Sequence, residues 1–382
     1  MYKFFLVYFG DLEDKRESNK VQYDLFEVIF MSFIGILCGV DGFVGFSDFA
    51  TYQKDWFLKY IKLENGVPSH DTFRTVLNML DPKDFSDRFS LLFQEIIRFS
   101  GKENKEDHLQ IDGKSIKGSQ CIDKETKKKK IIHTVNVLSQ EYGLTICQRT
   151  VDGDKYTSEN SAILEILSML CLKKKTISVD AGMSYKNVAI EIRKKLADYV
   201  FAIKGNNPNA LQSLREEFMK TSNNEEYQYI EDDNEHGRNI RRVFNSYKMK
   251  KSLRELVGFK DVKYFGVYES HNIDTGELND RRYFITSKEI KIPEEFYRLC
   301  RNHWGVENKL HWMLDVLFNE DDSKIKKGNA PKILLILRQL GLNLLKMDKS
   351  KGSFKRKKER FAWEYDYRNE MLMQDISGWI LN

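Results

Sequence analysis

Between residues 108 and 206 the spacing of the apolar positions changes in a fixed order, and this order restricts the fold more than any other feature. His108 to Lys114 alternates, with Leu109 and Ile111 on one side and Gln110, Asp112 and Lys114 on the other. Ile131 to Leu138 and Leu144 to Val151 are β-rich runs joined by a turn at Gln140 to Gly143. Thr157 or Ser158 then caps a helix carrying Ile163, Ile166, Leu167 and Leu170. A short strand, Thr176 to Asp180, precedes a helix through Val188, Ile192 and Leu196. The apolar strand Tyr199 to Ile203 ends the series at Lys204, Gly205 and Asn206. Three strands, helix, strand, helix, strand is an α/β layout: a mixed sheet flanked by helices, antiparallel at first and parallel afterwards.

The flanking segments have other patterns. Residues 1–100 read as all-helical. Val28, Ile29, Phe33 and Ile36 mark a buried helix, Ser69 caps one with Phe73, Val76 and Leu77, and Phe85, Phe89, Leu92 and Phe93 mark a third. A charged linker leads into the core, whose first part spans 101–224. Residues 225–290 turn polar and β-like and are expected to be an insertion. Residues 291–345 hold the last helix of the core, and 346–382 form a basic tail.

The 41% hydrophobic fraction over 382 residues allows a full core and two or three domains. A net charge of +5 is only mildly basic, so partners must be read from local clusters. The five cysteines are scattered and never paired as CxxC, which argues against a zinc ribbon or a disulfide framework and suits a reducing cytoplasm. Val28 to Val40 is closed by Glu27 and Asp41, short of the roughly 20 residues that cross a bilayer. A soluble cytoplasmic protein with no membrane partner is expected.

The last core helix is expected to run unbroken from Phe296 and to end in the acidic turn at Asp322. Pro293, Glu294 and Glu295 open it favourably. Beside its apolar stripe lies a second one, His303, Glu307, His311 and Asp315, each four residues from the next. Asp112 and Asp180 each stand at or near the end of a short strand, opposite its aliphatic side. If those strands are parallel neighbours, the two carboxylates converge at the sheet edge where α/β folds take ligands, and the helix can bring Glu307 over them. Three carboxylates without a thiolate suit Mg²⁺ or Mn²⁺, two of which can drive an in-line phosphodiester displacement. Each acid also has a plainer reading, as a turn residue before Gly113, a helix cap, or a solvated helical charge. His303 and His311 are eight apart with Glu307 between, which is not the HExxH zinc pattern.

Ordered motifs along nearly the whole chain resemble the bacterial insertion-sequence transposases of the H-repeat-associated (ISAs-type) family. They are Asn65 to Phe73, Ile111 to Ser119, Val179 to Ala181, Ala202 to Asn206, His236 to Arg238, His303 to Asn308, Leu310 to Trp312, Leu314 to Val316, Phe318 to Ser323 and Lys327 to Pro331. The resemblance implies a helical transposase-associated domain followed by an RNase H-like DDE core with a β-rich insertion. It further implies Asp112, Asp180 and Glu307 as the catalytic and metal-binding acids, cutting DNA and joining its 3′ hydroxyl to a target. Two departures stand out. Arg301 lies six residues before Glu307 instead of four, and Leu314 occupies the place of the superfamily lysine. Also, Gly182 and Met183 follow Ala181 in the reverse of the usual order.

For such an enzyme, double-stranded DNA is the partner, held by a homodimer that pairs two element ends. The DNA-facing candidates are Lys114, Lys117, Lys204, Asn206, His236, Arg238, Arg301, His303, Asn308 and His311, with basic runs at Lys127 to Lys130 and Lys355 to Lys358. Trp304 and Trp312 are expected to pack rather than stack on a base. A nuclease of the same fold, or a DNA-binding relic without catalysis, would carry many of the same residues.

Overall fold

The computed structural model describes residues 1–101, 105–122, 129–151, 155–221, 227–234 and 239–374. His236, Arg238 and the first half of the Lys127 to Lys130 run lie outside these residues.

The N-terminal helices are α1 (Tyr2–Phe9), α2 (Leu25–Leu37), α3 (Phe43–Tyr52), α4 (Lys54–Phe57), α5 (His70–Met79) and α6 (Pro82–Phe99). Local chemistry fixes their ends. Ser69 accepts the Thr72 N–H as the cap of α5, and Asp81 caps α6, whose first turn holds Pro82. Helix α2 is apolar nearly all round and is accordingly buried nearly all round. Phe5, Phe9, Phe30, Phe33, Phe57 and Phe85 form an aromatic centre around it.

The core follows as β1 (Asp107–Ile122), β2 (Lys129–Ser139), β3 (Thr145–Val151), α7 (Lys155–Met169), β4 (Lys175–Val179), α8 (Lys186–Lys194), β5 (Asp198–Ile203) and α9 (Pro208–Thr221). Then come β6 (Gln228–Asp233), β7 (Ile240–Lys248), α10 (Lys251–Val257), β8 (Tyr264–Asn272), β9 (Leu278–Thr286), α11 (Pro293–His303), α12 (Trp312–Phe318), α13 (Ala330–Met347), α14 (Phe354–Trp363) and α15 (Tyr365–Met373). The sheet order is β3-β2-β1-β4-β5-β9-β8-β7-β6. Strands β1 to β3 are antiparallel neighbours, and β4 and β5 are added parallel to β1. This is the α/β layout expected from the order of periodicities, in the RNase H-like arrangement that the family resemblance implies.

Several local expectations change. The β-rich segment extends the core sheet: β9 pairs antiparallel with β5, so all nine strands make one sheet. Helix α7 starts at Lys155, so Thr157 and Ser158 fall within its first turn instead of ahead of it. Leu196 lies beyond α8 with φ of 59° and an exposed side chain, so it is not part of the helix's buried face. Strand β1 runs on to Ile122, with a register shift between Ile116 and Cys121. At this irregularity a Cβ on Gly118 would collide with the Asp321 carbonyl, so glycine lets the acidic turn come close.

Residues 354–373, expected as part of a basic tail, form two helices packed on the rest of the protein. Ser353 caps α14 by accepting the Arg356 N–H, and Phe361, Met371 and Leu372 are buried in the main core. Asn369 accepts from the Trp56 indole and the Tyr60 hydroxyl. Lys357 and Lys358 of the basic run donate to the carbonyls of Asp348 and Leu317. Helix α13 is buried along its length and packs against α2, α5, α6 and β3. The N-terminal helices and the sheet therefore share one apolar core. Among the described residues no helix is long and apolar enough to cross a membrane.

Candidate active site

The parallel register between β1 and β4 pairs Ile111 with Val179. Asp112 and Asp180 are the next residue on each strand, so the two carboxylates leave neighbouring strands roughly 5 Å apart. Asp112 is half-buried, and its Oδ1 accepts the Gly113 N–H at 2.8 Å. Asp180 is exposed at the open end of β4. A third acid, Glu159 on α7, is buried beside them, with Oε1 3.2 Å from where a Cβ on Gly113 would stand. Burial pushes the Asp112 carboxyl up to about 7, the Gly113 N–H opposes this, and the charges of Asp180, Glu307 and Glu159 add to it.

The helix expected over 296–322 is broken into pieces. Helix α11 ends at His303, Trp304 interrupts the winding, and Glu307 to His311 form a π turn before α12 begins. The wider π turn shifts the faces of the helix, so His303 and His311 do not lie on one continuous stripe. Val306 and Leu310 are buried and anchor the turn, which leaves the Glu307 carboxylate 72% exposed above the sheet edge. His311 points inward at 4% exposure. Its Nδ1 is 3.2 Å from Glu307 Oε2 and 3.7 Å from Asp112 Oδ2. Burial pushes the imidazole pKa down, and its Nε2 has no hydrogen-bond partner among the described residues. Donor atoms of Asp112, Glu307 and His311 all lie within 4.8 Å of one another.

His303 faces the other way, into the sheet. Its Nδ1 is 2.9 Å from Ser178 Oγ, and that hydroxyl is 2.8 Å from His108 Nε2. Burial pushes His303 down to about 4, with the Asp180 charge opposing, and His108 down to about 3. The two neutral rings and the hydroxyl pin α11 to β1 and β4 just below the acids. Neither His108 nor Ser178 stood out in the sequence; the only available signal was a histidine among buried positions of a core strand.

The candidates for contacting DNA fare unequally. Lys114 is not a surface cation: it is 9% exposed and holds Asp315 Oδ1 and Glu320 Oε2, each at 2.7 Å. His303 and His311 are likewise turned into the protein. Asn206 donates to the Ala181 carbonyl at 2.8 Å and so braces the loop that follows Asp180. Lys117, Lys204 and Asn308 are exposed. Arg301 lies with its guanidinium carbon 4.7 Å from the centre of the Trp304 ring, and Trp304 also meets Tyr268 edge-on. Trp304 thus packs, as expected, whereas Trp312 is 56% exposed and does not.

The donor set fits a hard divalent cation. Its atoms are carboxylate oxygens with one imidazole nitrogen, a chemistry open to Mg²⁺ and particularly to Mn²⁺. Burial raises the Asp112 carboxyl most and the neighbouring acids add to it, and a cation bound there would favour its charged form.

Comparison with known proteins gives consistent matches. Residues 103–344 match the family described as "Transposase DDE domain", and residues 6–92 match one described as "DDE_Tnp_1-associated". The chain is 32% identical over 370 residues to the "H repeat-associated putative transposase YhhI" of Escherichia coli (strain K12), covering 94% of this chain and 95% of that protein. It is 33% identical over 383 residues to the "Putative transposase YncI" of Escherichia coli O157:H7, covering 96% and 94%. A solved piggyBac transposase synaptic complex with hairpin DNA is 14% identical with a TM-score of 0.40, covering 100% of this chain and 81% of that one, a likeness too distant to argue from.

Proposed function

This chain belongs to the transposase DDE domain family, and we propose that it is a DNA transposase whose acids Asp112, Asp180 and Glu307 hold divalent metal for strand cleavage and strand transfer. The observation that carries this reading is the register of β1 and β4, which sets Asp112 beside Asp180, together with the π turn that holds Glu307 and His311 over Asp112. Mg²⁺ or Mn²⁺ bound there supplies activation of the attacking oxygen and stabilisation of the leaving one.

The rest of the chemistry falls to the protein. Asp112 and Asp180 fix one side of the site from rigid strands. Glu307 is held toward Asp112 by His311, whose Nδ1 stands between the two carboxylates. The Lys114 ion pairs tie β1 to α12 and to the acidic turn, so the helix that carries Glu307 cannot drift from the strand that carries Asp112. The chain would act on double-stranded DNA as a homodimer that holds two element ends, in the cytoplasm, where its cysteines stay reduced. Residues 1–100 would serve as the associated helical domain, and 101–345 as the core with its β-rich extension.

The test uses linear DNA bearing the sequences that flank the gene, with Mg²⁺. Asp112→Asn, Asp180→Asn and Glu307→Gln are each expected to abolish cleavage and 3′-end joining while leaving DNA binding largely intact. A variant with wild-type joining removes that residue from the site. Cleavage without joining by the wild-type protein would make the chain a nuclease, and neither activity would make it a DNA-binding relic.

A further inference from the structure

The acids do not lie in an isolated pit. Ile203, the last residue of β5, pairs with Tyr283 of β9, so Lys204 emerges from the sheet beside Arg282. Helix α9 passes over this junction and contributes Arg215. Lys204, Arg215, Arg281, Arg282 and Asp280 line a cleft of about 340 Å³ here. A smaller cleft adjoins it, lined by Asp180, Ser178, His303 and Trp304 together with the same Lys204 and Arg282. Because Lys204 and Arg282 line both, the basic cleft and the cleft beside Asp180 meet at the end of β5.

The cations there are not all committed to folding. Arg281 is paired with Glu269 at 2.5 Å and packs over Phe218. Arg282 pairs with Asp280 at 2.5 Å, and its guanidinium carbon stands 4.5 Å from the centre of the Trp304 ring, the indole that Arg301 also covers. Lys204 and Arg215 are exposed and have no ion-pair partner among the described residues. Isolated surface lysines are unremarkable. Lys204 and Arg215, without ion-pair partners among the described residues, stand beside two paired arginines in a cleft that adjoins the one lined by Asp180. A polyanion is the ligand that this excess of positive charge complements. A second basic cleft, lined by Lys130, Lys326, Lys327 and Lys332, has none of the acids in its wall.

We propose that the cleft over the β5–β9 junction holds the phosphodiester backbone of the DNA that enters the metal site, with Lys204 and Arg215 neutralising phosphates and Arg282 as a positioning residue next to Asp180. This rests on the transposase reading and names the path that DNA takes to its acids.

The experiment is the salt dependence of binding of a fluorescein-labelled duplex to the full chain, read by anisotropy. Lys204→Gln combined with Arg215→Gln is expected to flatten the log K against log salt slope by about 1.8, the loss of two phosphate contacts at about 0.9 each. An unchanged slope overturns the proposal, whatever Lys326→Gln with Lys327→Gln does in the other cleft. A photo-crosslinking side chain at Arg215 is expected to capture the labelled strand, and its failure to do so also counts against the cleft. Asp112→Asn separates the two levels of the argument. If that variant cleaves DNA normally, the metal-site reading falls, while the slope still decides where DNA lies.

Discussion

Replacing Lys114 by methionine separates a structural lysine from a DNA-contacting one. Its ammonium is nearly buried and bridges Asp315 and Glu320, of which Asp315 is 35% exposed and Glu320 only 1%. In Lys114→Met, Asp315 can turn to water, but Glu320 is left with a buried and poorly compensated charge. Removing one partner of a buried pair costs about 3–5 kcal/mol. Arg338 also bears on Glu320 and softens the loss, so we expect a value near the lower end, about 3 kcal/mol. Urea unfolding followed by fluorescence measures it. Glu320→Leu added to Lys114→Met removes the stranded carboxylate and is expected to return the protein to within about 1 kcal/mol of wild type, since apolar replacement of a buried pair is often neutral. The pH dependence has a definite sign. The folded-state pKa of Glu320 is raised by burial, most of all without Lys114, so folding holds its proton more tightly than the unfolded chain does. The defect of the single variant should therefore shrink as the pH falls toward the ordinary value of 4.5 and grow as it rises. A loss below about 0.5 kcal/mol, combined with weakened DNA binding, would refute the structural role and restore Lys114 to the DNA surface.

Three more outcomes follow from the same contacts. Asp112, raised to about 7 without metal, contributes stability that is present below its ordinary 3.8 and lost as the pH rises through about 7. A cation competes with that proton, so Mn²⁺ affinity measured by electron paramagnetic resonance should be about tenfold weaker at pH 6 than at pH 8, and equal affinities would contradict the shift. Ser178→Ala strands two buried imidazoles and should cost about 1–3 kcal/mol in urea unfolding, with Ser178→Thr retaining the hydroxyl as the conservative control; no loss would mean that the chain His108–Ser178–His303 does not hold α11. Ending the chain at Met347 removes buried Phe361, Met371 and Leu372, each worth about 1.5–3 kcal/mol, so the truncated protein should unfold at markedly lower urea, whereas an unchanged midpoint with weaker DNA binding would make this stretch an appended DNA-binding tail.

What the sequence discloses is what local periodicity encodes. The alternation around Leu109 and Ile111, the hairpin turn at Gln140 to Gly143, and the cap at Ser69 depend on neighbours within a few residues, and all were legible. The partners of Lys114 lie 201 and 206 residues away, so its lysine-before-serine context looks like any surface cation. The pairing of β9 with β5 is hidden for the same reason, because alternation reveals a strand but not its neighbour. At Glu307 the regular i, i+4 spacing pointed to an unbroken helix. At the interruption the indole of Trp304 is held against Tyr268, Arg282 and Arg301, and Gly305 beside it, a poor helix former, was the only local signal. Within the basic run Lys355 to Lys358, the sequence does not show that Lys357 and Lys358 turn inward, Lys358 with its ammonium over the Phe318 ring, while Lys355 and Arg356 stay exposed.

The central claim, that two strand aspartates and a glutamate on a π turn grip one divalent centre, is tested most directly by titrating the full-length protein with Mn²⁺ under electron paramagnetic resonance. A bound-ion signal is expected in the wild-type protein and should weaken by at least about tenfold in Asp112→Asn, Asp180→Asn and Glu307→Gln alike, the loss already typical when a group that only orients a ligand is removed. Wild-type Mn²⁺ binding in all three variants, or none in the unaltered protein, would contradict it.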